Sequence, residues 1–377
     1  MQHEFIVPRS WSPCPLGASV GPSEPSGVIG FHMLDRRLAG FPACRAKPAR
    51  GPGAPAIGQL QLPGANRAAV ALDTRPEGRI IPRSTQRPTY QGETGMLVTK
   101  ATRRQIKTSD GVTLSYLEAG EGKPFVMVHG WSQTAAQWAH QINHFSRTHR
   151  VIAIDLRGHG ASENAAFGYR VYRLSKDVRD VMEALDLNGA VMMGHSMGCS
   201  VLWGLYDLFG AERIDRFVFV DEPPSLSNNP VLNDETRAQA GAIFTPEATY
   251  GTALALAADA DGSVTSGFIT GMFTPDCPRD MITASIALNM EMPRDKAAEL
   301  VVDHVGNDWR DVMARINLPA LCIGGKLSLV PWSSVVWQAE QMPNGRSVIF
   351  EGDEGGSHFM FMENPEKFNR VVAEFLG

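Results

Sequence analysis

The sequence predicts an α/β domain over residues 103–377: a mostly parallel, doubly wound sheet, a helical lid inserted after the sixth core strand, and a disordered extension ahead of the domain. Three observations carry this. Short apolar runs recur at 125–128, 151–154, 190–193, 217–220, 321–323 and 348–350, each the length of a strand buried on both faces. Amphipathic patterns of helical period, such as 174–185 and 201–209, lie between them, and strands alternating with helices of that length imply parallel pairing through crossovers. One stretch, 223–306, breaks the alternation with several helical segments, punctuated by Pro230, Pro246 and Pro275, and no convincing strand.

The elements follow in order. Residues 1–95 hold 13 of the 25 prolines and show no sustained apolar period, so they read as a disordered Pro/Gly/Arg-rich extension, with Met96 as a plausible alternative start. At 104–108 and 112–117 two alternating runs flank Ser109-Asp110-Gly111, the pattern of a hairpin. The six buried strands and their helices come next. In the lid, Phe244, Leu254, Phe268, Met272, Phe273, Met290 and Met292 either line a pocket or pack the lid onto the core, with packing the default for each. Last, Asn364-Pro365-Glu366 reads as a cap, a first-turn proline and an acidic first turn for a terminal helix.

Composition excludes several classes. With 43% hydrophobic residues, 20% charged residues and a net charge of −5, the chain has no basic excess for nucleic acid and enough apolar material for a large core. It has no run near the roughly 18 apolar residues of a membrane span, and Pro8, Pro13 and Pro15 interrupt the place where a signal peptide needs its apolar stretch. Five cysteines without C-x-x-C spacing do not make a disulfide framework or a zinc ribbon. The expectation is a cytoplasmic protein with no nucleic-acid or membrane partner; the oligomeric state is not legible.

In such sheets, chemistry sits at the carboxyl ends of the strands. Gly194-His195-Ser196-Met197-Gly198 follows the run 190–193 directly and opens a helical pattern, the strand-turn-helix context of a nucleophile elbow. Ser196 is the candidate nucleophile. Its hydroxyl needs a base, and of ten histidines His358 stands out because it sits in a glycine-rich loop after the last strand. The acid to orient that histidine is less evident. The loop after the penultimate strand, 324–331, carries no carboxylate, and Ser328 stands where an aspartate is expected. Asp221, at the end of the run 217–220, is the first candidate; Glu222 is the reserve, and Asp353 and Glu354 remain as neighbours of His358. A developing oxyanion needs two N–H donors, for which Met197 and Trp131 are the candidates, the latter in Val128-His129-Gly130-Trp131.

Other features take plainer readings. His129 locks its loop. His140 and His144 lack the glutamate and third ligand of a metal motif. Arg157-Gly158-His159-Gly160 is a glycine turn shaping the rim of the site, and Cys199 is a small packed thiol. No metal or cofactor is expected.

The strings His129-Gly130-Trp131, Asp155-Leu156-Arg157-Gly158-His159-Gly160 and Gly194-His195-Ser196-Met197-Gly198, with the chain order Ser196, Asp221, His358, resemble the α/β-hydrolase superfamily across about 275 residues, in the branch of cofactor-free haloperoxidases, small esterases and lactonases. The resemblance implies an acyl hydrolase acting on a small or medium carboxylic ester or lactone, with incidental perhydrolase activity. An acid after the sixth core strand is similar to some haloalkane dehalogenases, fungal-type lactonases and cofactor-independent dioxygenases. The dehalogenases use an aspartate nucleophile, so Ser196 disfavours them. A cofactor-free oxygenase, and a non-catalytic ligand receptor on the same fold, stand as the rival readings.

Overall fold

Each of the six apolar runs falls within a strand of the sheet. The computed structural model describes residues 101–377, so the expectations for 1–95 and for Met96 lie outside the described residues. The hairpin forms from β1 (Thr102–Lys107) and β2 (Thr113–Ala119), joined by a turn in which Gly111 takes φ +88°. The parallel part follows: β3 (Lys123–Val128), α1 (Ala139–Phe145), β4 (His149–Asp155), α2 (Val171–Ala184), β5 (Ala190–His195), α3 (Met197–Phe209) and β6 (Ile214–Val220).

After β6 come only helices: α4 (Asp234–Ala240), α5 (Pro246–Ala257), α6 (Ser263–Thr270), α7 (Arg279–Asn289), α8 (Arg294–Val305) and the single turn α9 (Arg310–Met313). The chain then re-enters the sheet with β7 (Ala320–Gly325), α10 (Trp332–Gln341) and β8 (Gly345–Phe350), and closes with α11 (Met360–Glu363) and α12 (Pro365–Leu376). The Asn364 side chain accepts the Lys367 N–H at 3.1 Å, which caps α12 as its sequence suggests. The helical insertion holds two isolated β-bridges that its sequence did not announce, Ser225 with Asp308 and Ser227 with Phe244.

The described residues form an eight-stranded sheet in the order β1-β2-β4-β3-β5-β6-β7-β8. The pairs β1/β2 and β2/β4 are antiparallel and the other five are parallel. Every residue of β5 and β7 is buried, because helices cover both faces; hence these strands read as continuous apolar runs rather than alternations. Strand order reverses between β3 and β5, and such a reversal opens a crevice at the carboxyl ends of the strands. The loops after β3, β5, β6, β7 and β8 therefore converge on one edge.

Candidate active site

The connection from β5 to α3 is too tight for ordinary backbone. Ser196 takes φ 52° and ψ −130°, a conformation that side-chain-bearing residues rarely adopt. Close packing enforces it. A Cβ on Gly198 would lie 2.3 Å from the Val128 carbonyl oxygen, and one on Gly194 would lie 2.6 Å from the Gly198 carbonyl. Among the described residues five non-glycine side chains sit at positive φ, and three of them, Ser132, Ser196 and Asp221, belong to this edge of the sheet. Backbone strain is thus concentrated at the convergent loops.

His358 and Asp221 meet. The His358 Nδ1 lies 2.6 Å from Asp221 Oδ2, with both side chains buried. A carboxylate accepts, so Nδ1–H donates and the neutral ring keeps its lone pair at Nε2. Asp221 gains two further donors, the Ser328 hydroxyl and, at 3.3 Å, the Gly325 N–H. The missing carboxylate at 328 is therefore no vacancy: the serine in that loop donates to the aspartate on the neighbouring strand. Ser196 and His358 line one cavity. His195 joins their loops, since its Nε2 lies 2.9 Å from the His358 carbonyl, which only accepts, and burial holds this imidazole well below its ordinary pKa.

The alternatives for the acid fall elsewhere. Glu222 is buried but turns to His304, whose Nε2 lies 2.6 Å from Glu222 Oε1. Asp353 is exposed, and Glu354 pairs with Lys367 and caps its own turn.

Of the two candidate oxyanion donors, Met197 follows Ser196 directly and Trp131 lines the same cavity as Ser196. Met197 is the first residue of α3, whose terminal N–H groups have no acceptor within the helix. Among the described residues the backbone N–H of Trp131 has no hydrogen-bond acceptor either. Gly130 packs so near that a Cβ there would stand 2.9 Å from the Ser196 Cβ. The loop is held by histidines. His129 donates from Nδ1 to the Gly130 carbonyl (2.8 Å) and accepts the Leu156 N–H at Nε2 (3.0 Å). His159 accepts the Ser132 N–H at Nε2 (3.2 Å). Burial lowers the pKa of His129 to about 4 and that of His159 to about 3, so both are neutral at pH 7. Asp155 accepts the Ala135 N–H at 2.7 Å and pairs with Arg103, while buried Arg157 bridges Asp177 and Asp110. The string 155–160 thus braces the loop after β3.

From the insertion, Phe244, Phe268 and Met272 line the cavity, joined by Leu226 and Val301. Met292 is buried, Phe273 stacks on Phe359 with ring centroids 4.5 Å apart, and Met290 is half-buried. Leu254 is 74% exposed and does neither job expected of it. The insertion is tied to the loops below: Trp131 Nε1–H donates to the Ala297 carbonyl, the Ser132 hydroxyl donates to the Asn289 carbonyl, and the His358 N–H donates to the Met272 carbonyl, at 2.8, 2.7 and 3.1 Å. Cys199 is fully buried, and burial pushes its thiol pKa well up. His140 and His144 on α1 are half-buried. No group of three or more His, Cys, Asp or Glu among the described residues is placed to hold a metal ion.

Sequence reasoning missed His304 and Gln133. Gln133 lines the cavity and its Oε1 lies 3.3 Å from the Gly130 N, which a polar residue three after Gly130 hints at. Nothing local marks His304, because its partner lies 82 residues earlier.

A family model described as the alpha/beta hydrolase fold matches residues 123–365. The non-heme chloroperoxidase CPO-A1 of Kitasatospora aureofaciens is 26% identical over 284 residues, covering 72% of this chain and 98% of that protein. Among solved structures, an esterase from Exiguobacterium antarcticum aligns with a TM-score of 0.65 at 21% identity, over 72% of this chain and 98% of that one. The enol-lactonase of Burkholderia xenovorans LB400 aligns with a TM-score of 0.63 at 22% identity, over 72% and 99%. These structural likenesses bear on the fold alone. Since the family model spans well over half of the chain, from β3 to the start of α12, the protein belongs to the α/β-hydrolase family.

Proposed function

We propose that this protein is an acyl hydrolase that cleaves a small or medium carboxylic ester or lactone through an acyl-Ser196 intermediate. The observation that carries the reading is a single constellation: Ser196, strained at the β5–α3 turn, shares a cavity with His358, whose Nδ1 is bound to Asp221 at 2.6 Å. His358 takes the Ser196 proton as Oγ attacks the carbonyl carbon. The N–H groups of Met197 and Trp131 receive the oxyanion, each contributing about 3 to 4 kcal/mol to the transition state. The intermediate collapses, His358 protonates the departing alkoxide, and a water deprotonated by the same ring releases the acid. Asp221 holds the ring's tautomer and stabilises the imidazolium.

The apolar insertion serves as the lid of the cavity and favours an apolar acyl or alcohol group. Buried thiols at Cys199, Cys277 and Cys322, all unpaired, suit a reducing compartment such as the cytoplasm. The similarity to a chloroperoxidase favours a side reaction on the same intermediate, in which hydrogen peroxide replaces water and the acyl group leaves as a peracid while Ser196 regains its proton. A p-nitrophenyl ester chain-length series tests the main reading. Wild-type protein hydrolyses at least one member and Ser196→Ala does not; hydrolysis at full rate by Ser196→Ala contradicts it.

A further inference from the structure

The cavity holds a second histidine–carboxylate pair that the reaction above does not use. Glu222 follows Asp221 in sequence, His304 lies near the end of α8, and both line the cavity that contains Ser196 and His358. They are 3% and 5% exposed in walls otherwise made of residues such as Leu226, Phe244 and Val301. Burying a carboxylate in such surroundings is costly unless it is hydrogen-bonded. One of its oxygens is well satisfied. Glu222 Oε1 accepts from His304 Nε2 at 2.6 Å and from the Ser200 hydroxyl at 3.2 Å, and Gln338 Nε2 fixes the Glu222 backbone carbonyl at 2.9 Å. The other oxygen, Oε2, and the second ring nitrogen, His304 Nδ1, have no hydrogen-bond partner among the described residues, while both residues line the cavity. A carboxylate fixed through one oxygen and its backbone thus lines an apolar chamber with its second oxygen left without a protein donor.

We infer that Glu222 and His304 form a recognition subsite for a neutral hydrogen-bond donor, a hydroxyl or amide N–H, carried by the substrate away from its scissile carbonyl. Glu222 Oε2 accepts that donor whichever protonation state the imidazole takes, because a carboxylate only accepts. His304 positions the carboxylate and, through Nδ1, supplies a second contact. This inference rests on the acyl-hydrolase reading, and it narrows the substrate from any apolar ester to one with a polar group on an apolar body. A site built to hydrogen-bond such a group discriminates strongly against the analogue lacking it, whereas an apolar pocket rejects an added hydroxyl only by about a hundredfold.

The test is a chain-length series of methyl ω-hydroxyalkanoates, each compared with the methyl alkanoate in which a methyl group replaces the hydroxyl, and a matched series with the hydroxyl on the alcohol side. For at least one length the wild-type kcat/KM for the hydroxy ester equals or exceeds that of its partner, and His304→Leu shifts the ratio about tenfold or more toward the apolar ester. Glu222→Gln, which keeps a carbonyl acceptor, retains part of the preference. Wild-type protein that hydrolyses the apolar esters yet disfavours every hydroxy ester by about a hundredfold overturns the subsite without any variant, so the test survives a His304→Leu protein that does not fold. An unchanged ratio in a folded His304→Leu protein overturns it as well. Failure of wild-type protein to hydrolyse either kind of ester contradicts the acyl-hydrolase reading itself and the subsite with it.

Discussion

Asp221 and Glu222 are neighbours at the end of β6, both buried and both paired to a histidine, yet they serve different halves of the molecule. Asp221 reaches His358 on the loop after β8 and takes further donors from the end of β7, so three strand ends of the sheet hold it. Glu222 reaches His304 on α8, a helix of the insertion. Both residues lie just past β6, where the positive φ of Asp221 turns the backbone, and the two carboxylates reach different histidines. The lesson concerns position rather than residue type. A histidine–carboxylate pair gains a role in catalysis from what stands beside its free nitrogen, and Ser196 stands in the cavity with His358 on the frame where strain and tight turns are concentrated.

The sharpest way to break this distinction is to neutralise each acid in turn. Asp221→Asn keeps the shape but cannot stabilise the imidazolium, and kcat on a p-nitrophenyl ester should fall by up to about 10⁴-fold. Glu222→Gln should change kcat on the same ester by about tenfold or less. The reverse ranking would move the acid one residue along the strand. Collapse in neither variant would leave His358 working without a carboxylate.

A smaller effect is expected at Ser328. Read from sequence alone, this residue marks only the absence of an aspartate, and its loss should then do little. The structure puts its hydroxyl on Asp221. Ser328→Ala should therefore lower kcat by about threefold to tenfold, the net scale of one ordinary hydrogen bond, because Asp221 retains its other partners, with KM changed less. Steady-state kinetics of the variant decide between the two expectations.

The elements legible in the sequence were those governed by local rules. The buried strands appear as apolar runs because both faces of β5 and β7 are covered, and the β5–α3 turn appears because glycine alone fits where the Val128 carbonyl and the α3 backbone press on 194 and 198. The cap at Asn364 is local as well. The rest depended on distance in the chain. Asp221 and Glu222 both end an apolar run, and only the packing of α8 and of the loop after β8 decides which histidine each receives. The role of Ser328, 107 residues from Asp221, has the same origin. Leu254 carries the apolar character of a wall residue but is exposed.

The smallest effect concerns stability, in the bracing beneath Trp131. His129 and His159 are buried as neutral acceptors, with pKa values lowered from 6.5 to about 4 and about 3. A depressed histidine favours the folded state while it is neutral. Its contribution is complete above pH 6.5 and is lost as pH falls toward the folded-state value. Urea midpoints should accordingly decline between pH 6.5 and pH 4, and His159→Gln, though less stable at pH 7, should show a shallower decline. A parallel decline in both proteins would assign the acid sensitivity to other groups.

In the proposed reaction Ser196 is the group made nucleophilic by His358. Covalent labelling reads this without knowledge of the substrate. Treatment with a fluorophosphonate, followed by intact-mass and peptide mass analysis, should give one adduct per chain, on the peptide containing Ser196, with no adduct in Ser196→Ala and much slower formation in Asp221→Asn. An unmodified wild-type protein, or an adduct on another residue, would contradict the account.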